Sequence, residues 1–384
     1  MEAYFDNSAT TKVLDSVKDI VVKTMTEDYG NPAAKHRRGM EAEQYIRDAK
    51  RILADTLKVQ EREILFTSGG SESNNMALIG TAWANKRAGK HIISTSIEHP
   101  SVYNPLGVLE ELGFEVTILP VDHDGHISLK ELEEAIRPDT ILVSTMYVNN
   151  EVGAVEPVEE ISKVIKTKNP STLYHVDAIQ AYGKYVIRPK KQGIDLLSVS
   201  GHKIHGPKGV GFLYIRSGVK IKPLIYGGGQ QAGLRSGTEN VPGVAGLGVA
   251  AKEMYTDHAA KIQKLTELKD YMTDRLGEIE GTVVNSKKGA DSAPQIVSVS
   301  FEGVRSEVLL HALEDKNIYV SSGSACSSNH PGISGTLKGI GVSQKLLDST
   351  IRMSFSLFNT KEEIDYTIDV LKELVPVLRR YQRG

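Results

Sequence analysis

The chain has 384 residues, with 46 Lys and Arg against 48 Asp and Glu, a formal net charge of −2 and one cysteine. This length suits two or three domains, or one large domain with a smaller companion, and 24% charged with 40% hydrophobic residues is ordinary for a globular chain with a real core. The near-neutral balance argues against a protein that coats nucleic acid or an acidic membrane, and a lone cysteine excludes an internal disulfide and the cysteine-rich zinc modules.

The first residues, Met1-Glu2-Ala3-Tyr4-Phe5-Asp6, are acidic where a signal peptide is basic. No apolar run is long enough to span a membrane, so a cytoplasmic location is expected, with no membrane and no direct nucleic-acid partner. Short runs rich in Val, Ile and Leu predict strands at 63–67, 91–95, 115–119, 140–145, 172–176, 196–200 and 209–215. Helical spacing follows several of them, at 71–87, 100–112, 128–136 and 157–166. This alternation predicts an α/β fold whose large domain holds a mainly parallel seven-stranded sheet covered by helices. Past Gly246 the pattern changes. One helical stretch from about 249 to 276 precedes shorter elements: a strand at 295–301, a helix at 306–313, a strand at 317–320 and a closing helix from 361 to about 380. The expected division is a large domain over 13–256 and a smaller α+β domain over 1–12 and 257–384.

Ligands in open α/β sheets bind beyond the carboxyl ends of the strands, and four such ends carry unusual residues. In Thr67-Ser68-Gly69-Gly70-Ser71-Glu72-Ser73-Asn74-Asn75, two glycines permit a tight turn. Ser71 at an N-cap beside free N–H groups makes a cradle for a single phosphate, although an ordinary capped helix start reads the same way. In Tyr174-His175-Val176-Asp177-Ala178-Ile179-Gln180, Asp177 closes an apolar strand, where a carboxylate calls for a cation. A protonated pyridine nitrogen answers that call, as does a structural ion pair or a helix cap. Lys203 follows another apolar strand in a glycine-rich turn between His202 and His205. A partly desolvated lysine there serves as an amine nucleophile, a solvated lysine being the plainer reading, and the two histidines lack a third metal ligand. The fourth cluster, Ser321-Ser322-Gly323-Ser324-Ala325-Cys326-Ser327-Ser328-Asn329-His330-Pro331-Gly332, reads as an exposed loop that leaves the thiol of Cys326 accessible. Cys326 and His330 alone are too few for zinc. His99, just after a strand in Glu98-His99-Pro100-Ser101, suits stacking on a flat ring or proton transfer, and equally a structural role. Asp122-His123-Asp124-Gly125-His126 lacks the closing glutamate of a calcium loop and reads as a turn. Taken together, Ser71, Asp177, Lys203 and His99 are the set that pyridoxal phosphate requires.

With these motifs assembled, the sequence resembles the cysteine desulfurases of the NifS/IscS-like branch, class-V aminotransferases within the fold-type I pyridoxal-phosphate enzymes. The resemblance runs through Tyr4-Phe5-Asp6-Asn7-Ser8-Ala9-Thr10-Thr11, Val148-Asn149-Asn150-Glu151-Val152-Gly153, Ser200 to Gly209, Leu234-Arg235-Ser236-Gly237-Thr238 and Ser322-Gly323-Ser324-Ala325-Cys326. It implies that Lys203 holds the cofactor's aldehyde, Asp177 its pyridine nitrogen and Gln180 its phenolic oxygen, while His99 stacks on the ring and moves protons. It implies phosphate binding by Gly70, Ser71, Ser200 and His202, with Thr238 supplied by the second subunit of a homodimer. Asn149 and Arg352 are implied to fix the substrate carboxylate, and Cys326 to be the nucleophile; no metal is implied. The implied reaction takes L-cysteine to L-alanine and leaves a persulfide on Cys326. An acceptor protein then receives the sulfur for iron–sulfur assembly or tRNA thiolation. Related readings are a selenocysteine lyase, a cysteine-sulfinate desulfinase or a non-catalytic persulfide carrier. The glycine-rich stretch after Cys326, and an end at Gly384 without a longer tail, leave tRNA thiolation or another sulfur pathway open beside iron–sulfur assembly.

Overall fold

Apolar runs without polar alternation become strands buried on both faces: every residue of His91–Thr95, Thr140–Met146 and Leu196–Ser200 is buried. The structure, a computed structural model, describes residues 1–289, 292–322 and 334–381, so the segment with Cys326 and His330 lies outside the described residues. In chain order the strands are β1 (Ala3–Tyr4), β2 (Ile64–Thr67), β3 (His91–Thr95), β4 (Glu115–Leu119), β5 (Thr140–Met146), β6 (Leu173–Asp177), β7 (Leu196–Ser200), β8 (Gly211–Ile215), β9 (Thr282–Val284), β10 (Ile296–Phe301), β11 (Ile318–Tyr319), β12 (Ser321–Ser322) and β13 (Thr350–Ser354). Seven of them form one sheet in the order β2-β8-β7-β6-β5-β3-β4. All neighbours are parallel except at β8, which runs antiparallel to both β2 and β7.

Consecutive strand residues serve opposite faces. Ile93, Val143, Leu197 and Phe212 join a core with helices Asp15–Thr26, Arg37–Leu57 and Val241–Tyr255. Ile92, Leu142, Leu196 and Leu213 join another with Met76, Leu78, Val102 and Leu106. This is the helix-covered, mainly parallel sheet that the alternation of patterns predicts.

A second, antiparallel sheet runs β12-β13-β10-β9 over its own core, which holds Phe5, Leu268, Met272, Phe301, Ile351 and Ile368. The helix expected from about 249 to 276 is two helices, Val241–Tyr255 and His258–Leu276, separated by an extended Thr256 and a left-handed Asp257 at φ 48°. The reason is packing. The first helix buries Leu247, Ala250 and Met254 against the large sheet, whereas the second buries Leu265, Leu268, Met272 and Leu276 in the other core. One straight helix does not serve both. Helices Asp15–Thr26 and Arg37–Leu57 are not anticipated by the strand–helix pattern.

Two features place the ligand site. Strand β2 is an edge of the large sheet, and its open backbone is met by a side chain: Phe66 N–H donates to Gln231 Oε1 (2.7 Å) and Gln231 Nε2 donates to the Phe66 carbonyl (2.8 Å). The turn after β2 lies against β8, where a Cβ on Gly211 meets the Val199 carbonyl at 2.4 Å and Gly69 Cα at 2.8 Å. Both obstacles are backbone and cannot rotate away. Gly211→Ala is therefore expected to lower the unfolding free energy by about 1–3 kcal/mol, the usual cost of overpacking, as measured by urea denaturation.

Candidate active site

Strands β5, β6 and β7 end side by side, at Met146, Asp177 and Ser200. Beyond them opens a cavity of about 300 Å³ lined by Ser8, Gly70, Ser71, His99, Asn150, Asp177, Gln180, Ser200, His202, Lys203 and Arg352, among others. Nine of the residues singled out in the sequence thus share one space. Asn149 and Thr238 are not part of its lining.

The turn after β2 begins at Gly69, whose φ of +146° suits glycine, and the helix starts at Gly70. Gly69, not Ser71, is the N-cap; Ser71 is the second helical residue and faces the cavity. A Cβ on Gly70 meets Ile179 Cδ1 at 2.2 Å, so a glycine keeps this backbone close to the strand ends. The run Gly70–Asn75 passes through a π turn at Met76–Gly80 into helix Thr81–Asn85.

Asp177 is 4% exposed. Its Oδ2 accepts from Asn74 Nδ2 (2.8 Å) and its Oδ1 from the Ile179 N–H (3.0 Å), both neutral donors. Burial pushes its pKa up, against these two bonds and the pull of the His99 and Lys203 charges. His99, the N-cap of helix Pro100–Glu111, has its pKa lowered by burial.

Lys203 ends the 3₁₀ turn Gly201–Lys203, and its Nζ donates to the Ala9 carbonyl (2.8 Å) and to the Ser8 carbonyl. Lys184 lies behind it, with Nζ on the Lys203 carbonyl (2.6 Å); burial, aided by the Lys203 charge, brings its pKa down to about 7. The His202 ring meets Thr10 Oγ1 (3.2 Å), and burial, then the lysine charges, lowers its pKa to about 4. His205 turns away from the cavity, with Nδ1 on the Lys12 carbonyl (2.8 Å).

Arg352, with its side chain 7% exposed, places Nη1 on the Asn150 carbonyl (2.8 Å) and Nη2 on Asp6 Oδ1 (3.0 Å). Its Nε is buried without a partner among the described residues. Asn149 is occupied elsewhere: its Oδ1 accepts the Glu151 and Val152 N–H groups (both 2.9 Å) and its Nδ2 donates to the Ile97 carbonyl (3.1 Å). It shapes the loop, and its neighbour Asn150 faces the cavity. Asp122 closes its turn by accepting the Asp124 and His126 N–H groups. Thr238 is exposed in a glycine-rich loop. The residues that single-motif reading misses are Asn74, Ser101 and Asp6; each lies inside a quoted motif, but only contact across the fold reveals its partner.

The donor set fits pyridoxal phosphate. A buried carboxylate held by neutral donors, a lysine on a strand-end turn and a glycine cradle lined by Ser71, Ser200 and His202 meet in a cavity of suitable size. The aminotransferase class-V family model matches residues 3–367. The chain belongs to the NifS/IscS-like cysteine desulfurases of that family. It is 44% identical over 376 residues to the cysteine desulfurase IscS of Methanosarcina thermophila, covering 98% of this chain and 92% of the relative. Among solved structures, a NifS-like protein superposes with a TM-score of 0.93 at 39% identity, covering 98% of this chain and all of that one. SspA, solved in complex with cysteine, superposes with a TM-score of 0.81 at 36% identity, over 93% of this chain and 100% of that one. Members of this family are pyridoxal-phosphate enzymes.

Beneath His99 lies a second buried acid. Glu98 accepts from Thr95 Oγ1 (2.7 Å) and the Met146 N–H (2.9 Å), its Oε2 has no partner among the described residues, and burial pushes its pKa up to about 8. A carboxyl whose pKa rises on folding stabilises the fold below its ordinary range, 4.5 here, and loses that contribution as pH rises through the folded value. Glu98→Gln is expected to match the wild type near pH 4.5 and to exceed its stability at pH 8. Urea titrations at several pH values should show the fall of stability with pH reduced by about one proton's linkage.

Proposed function

We propose that the protein removes sulfur from L-cysteine, releasing L-alanine, and takes the sulfur onto Cys326 as a persulfide. The observation that carries this reading is the meeting of Asp177, Lys203 and Arg352 in one cavity beside both ends of the segment bearing Cys326. Ser321, on β12, pairs in register with Arg352, and Ser334 bonds the Glu151 carboxylate.

When bound, pyridoxal phosphate supplies the electron sink that loosens bonds around the substrate's α-carbon. Lys203 would offer the amine for its aldehyde, Asp177 would keep its ring nitrogen protonated, Gln180 would bond its phenolic oxygen, and Gly70, Ser71, Ser200 and His202 would hold its phosphate. The Arg352 guanidinium clamps the substrate carboxylate as a planar fork, drawing on the contacts it now makes with Asp6. His99 moves protons at its free nitrogen. The Cys326 thiolate bonds to the substrate sulfur as the carbon–sulfur bond breaks, its electron pair passing to carbon.

On this reading residues 13–256 are the cofactor domain, and residues 1–12 with 257–384 are the smaller domain carrying Cys326; the separate cores support it. Exposed Thr238 is the residue offered to a second copy in a homodimer. Having no second cysteine, the chain hands its sulfur to an acceptor protein, for iron–sulfur assembly or tRNA thiolation, in the cytoplasm; among the described residues no helix is long and apolar enough to cross a membrane.

Cys326→Ala is expected to keep the visible absorbance of the bound cofactor and to lose sulfide release by at least about a hundredfold, in line with loss of a covalent nucleophile. Lys203→Ala is expected to lose the cofactor that borohydride otherwise fixes to the chain. Undiminished sulfide release by the first variant, or an unchanged fixed adduct in the second, overturns the reading.

A further inference from the structure

Asn74 sits on helix Gly70–Asn75 and is fully buried. Its Nδ2 carries two hydrogens, and the structure uses both: one goes to Asp177 Oδ2 (2.8 Å), the other to Ser101 Oγ (2.9 Å). Turning the amide over sets Oδ1 against the Asp177 carboxylate. That carboxylate therefore fixes the amide's orientation, even though Oδ1 is left without a partner among the described residues.

The consequence passes to the next residue. Ser101 Oγ has accepted a hydrogen from Asn74 and has its own hydrogen to give to His99 Nδ1, 2.8 Å away. The Ser101 backbone N–H points at the same nitrogen (3.1 Å). Two hydrogens converge on Nδ1, so this atom must present its lone pair. A proton on Nδ1 would face the backbone N–H directly. Neutral His99 accordingly carries its proton on Nε2.

We propose that Asn74 and Ser101 form a positioning pair, linking Asp177 to His99 and determining which ring nitrogen of His99 holds the proton. Asn74 lies outside the cavity lining and Ser101 is part of it; the role assigned to both is exerted through the two residues they join. The pair ties the helix after β2, the helix after β3 and the end of β6 into one hydrogen-bonded chain, so the proton carrier and the ring-nitrogen acid keep a set relation. Nε2 is left for proton transfer because Nδ1 is fully engaged. This rests on the cofactor-facing roles given above to His99 and Asp177.

The test reads the tautomer directly. In cofactor-free protein with ¹⁵N-labelled histidine, two-bond ¹H–¹⁵N correlation should show His99 with an unprotonated Nδ1 and a protonated Nε2. Ser101→Ala removes one of the two hydrogens at Nδ1. Asn74→Leu keeps the amide's approximate size and supplies neither of its hydrogens. Both should draw the two nitrogen shifts toward each other, and Ser101→Thr should restore them. In the loaded enzyme, Ser101→Ala is expected to lower kcat about fivefold, the scale of one hydrogen bond between neutral groups, with KM within about twofold. A wild-type His99 protonated on Nδ1, or shifts unmoved in both variants, overturns the proposal. The readout needs no turnover, so the expected shifts in a protein without desulfurase activity would refute the assigned reaction and uphold the pair.

Discussion

A carboxylate at the inner end of a central strand costs free energy unless something cationic arrives to meet it. Asp177 occupies that position at the end of β6, with β5 and β7 on either side, and neutral donors alone supply its hydrogen bonds. Much of the surrounding architecture follows from this constraint. The glycine turn after β2 brings Asn74 close enough to donate. Helix Pro100–Glu111 closes one flank with His99, and the turn after β7 sets Lys203 near the same space. On the proposed reading, a protonated ring nitrogen would be the cationic partner that these neutral donors do not supply.

The N-terminal segment ties the two sheets to this centre. Residues 3–4 pair with β11 of the smaller unit. A few residues later the same strand of chain gives Asp6 to Arg352, and it gives the Ser8 and Ala9 carbonyls to Lys203; Gln180 also donates to the Ser8 carbonyl. Three cavity residues are oriented by a stretch that contributes no helix and almost no strand. The same short segment thus contacts both the lysine and the arginine.

Much of this was readable from the chain alone, for a physical reason. Buried strands write themselves as continuous apolar runs, and the cavity residues Asp177 and Ser200 end two of those runs, with Lys203 in the turn just beyond. What escaped reading depends on distance and direction. Asn149 and Asn150 are identical neighbours, and only the turn decides which one faces the cavity and which one holds the loop. Ser71 follows two glycines, and sequence does not say that the cap falls on the first of them. Asn74 and Ser101 are 27 positions apart. The break at Thr256–Asp257 is invisible to periodicity, because both helices carry good apolar stripes and only the fold shows that these face different cores.

The side chain of Gln231 lies along β2 as a single rung of an absent eighth strand. Open strand edges invite pairing with other molecules, and most large sheets deter it with charge, proline or a covering helix. Here one amide satisfies the donor and acceptor of Phe66 at once, midway along a strand of only four residues. A passing chain finds the central hydrogen-bonding site already filled, and too little of the edge remains on either side to start a ladder. One amide from the loop before helix Val241–Tyr255 thus occupies the open hydrogen-bonding groups of Phe66 on this short edge strand.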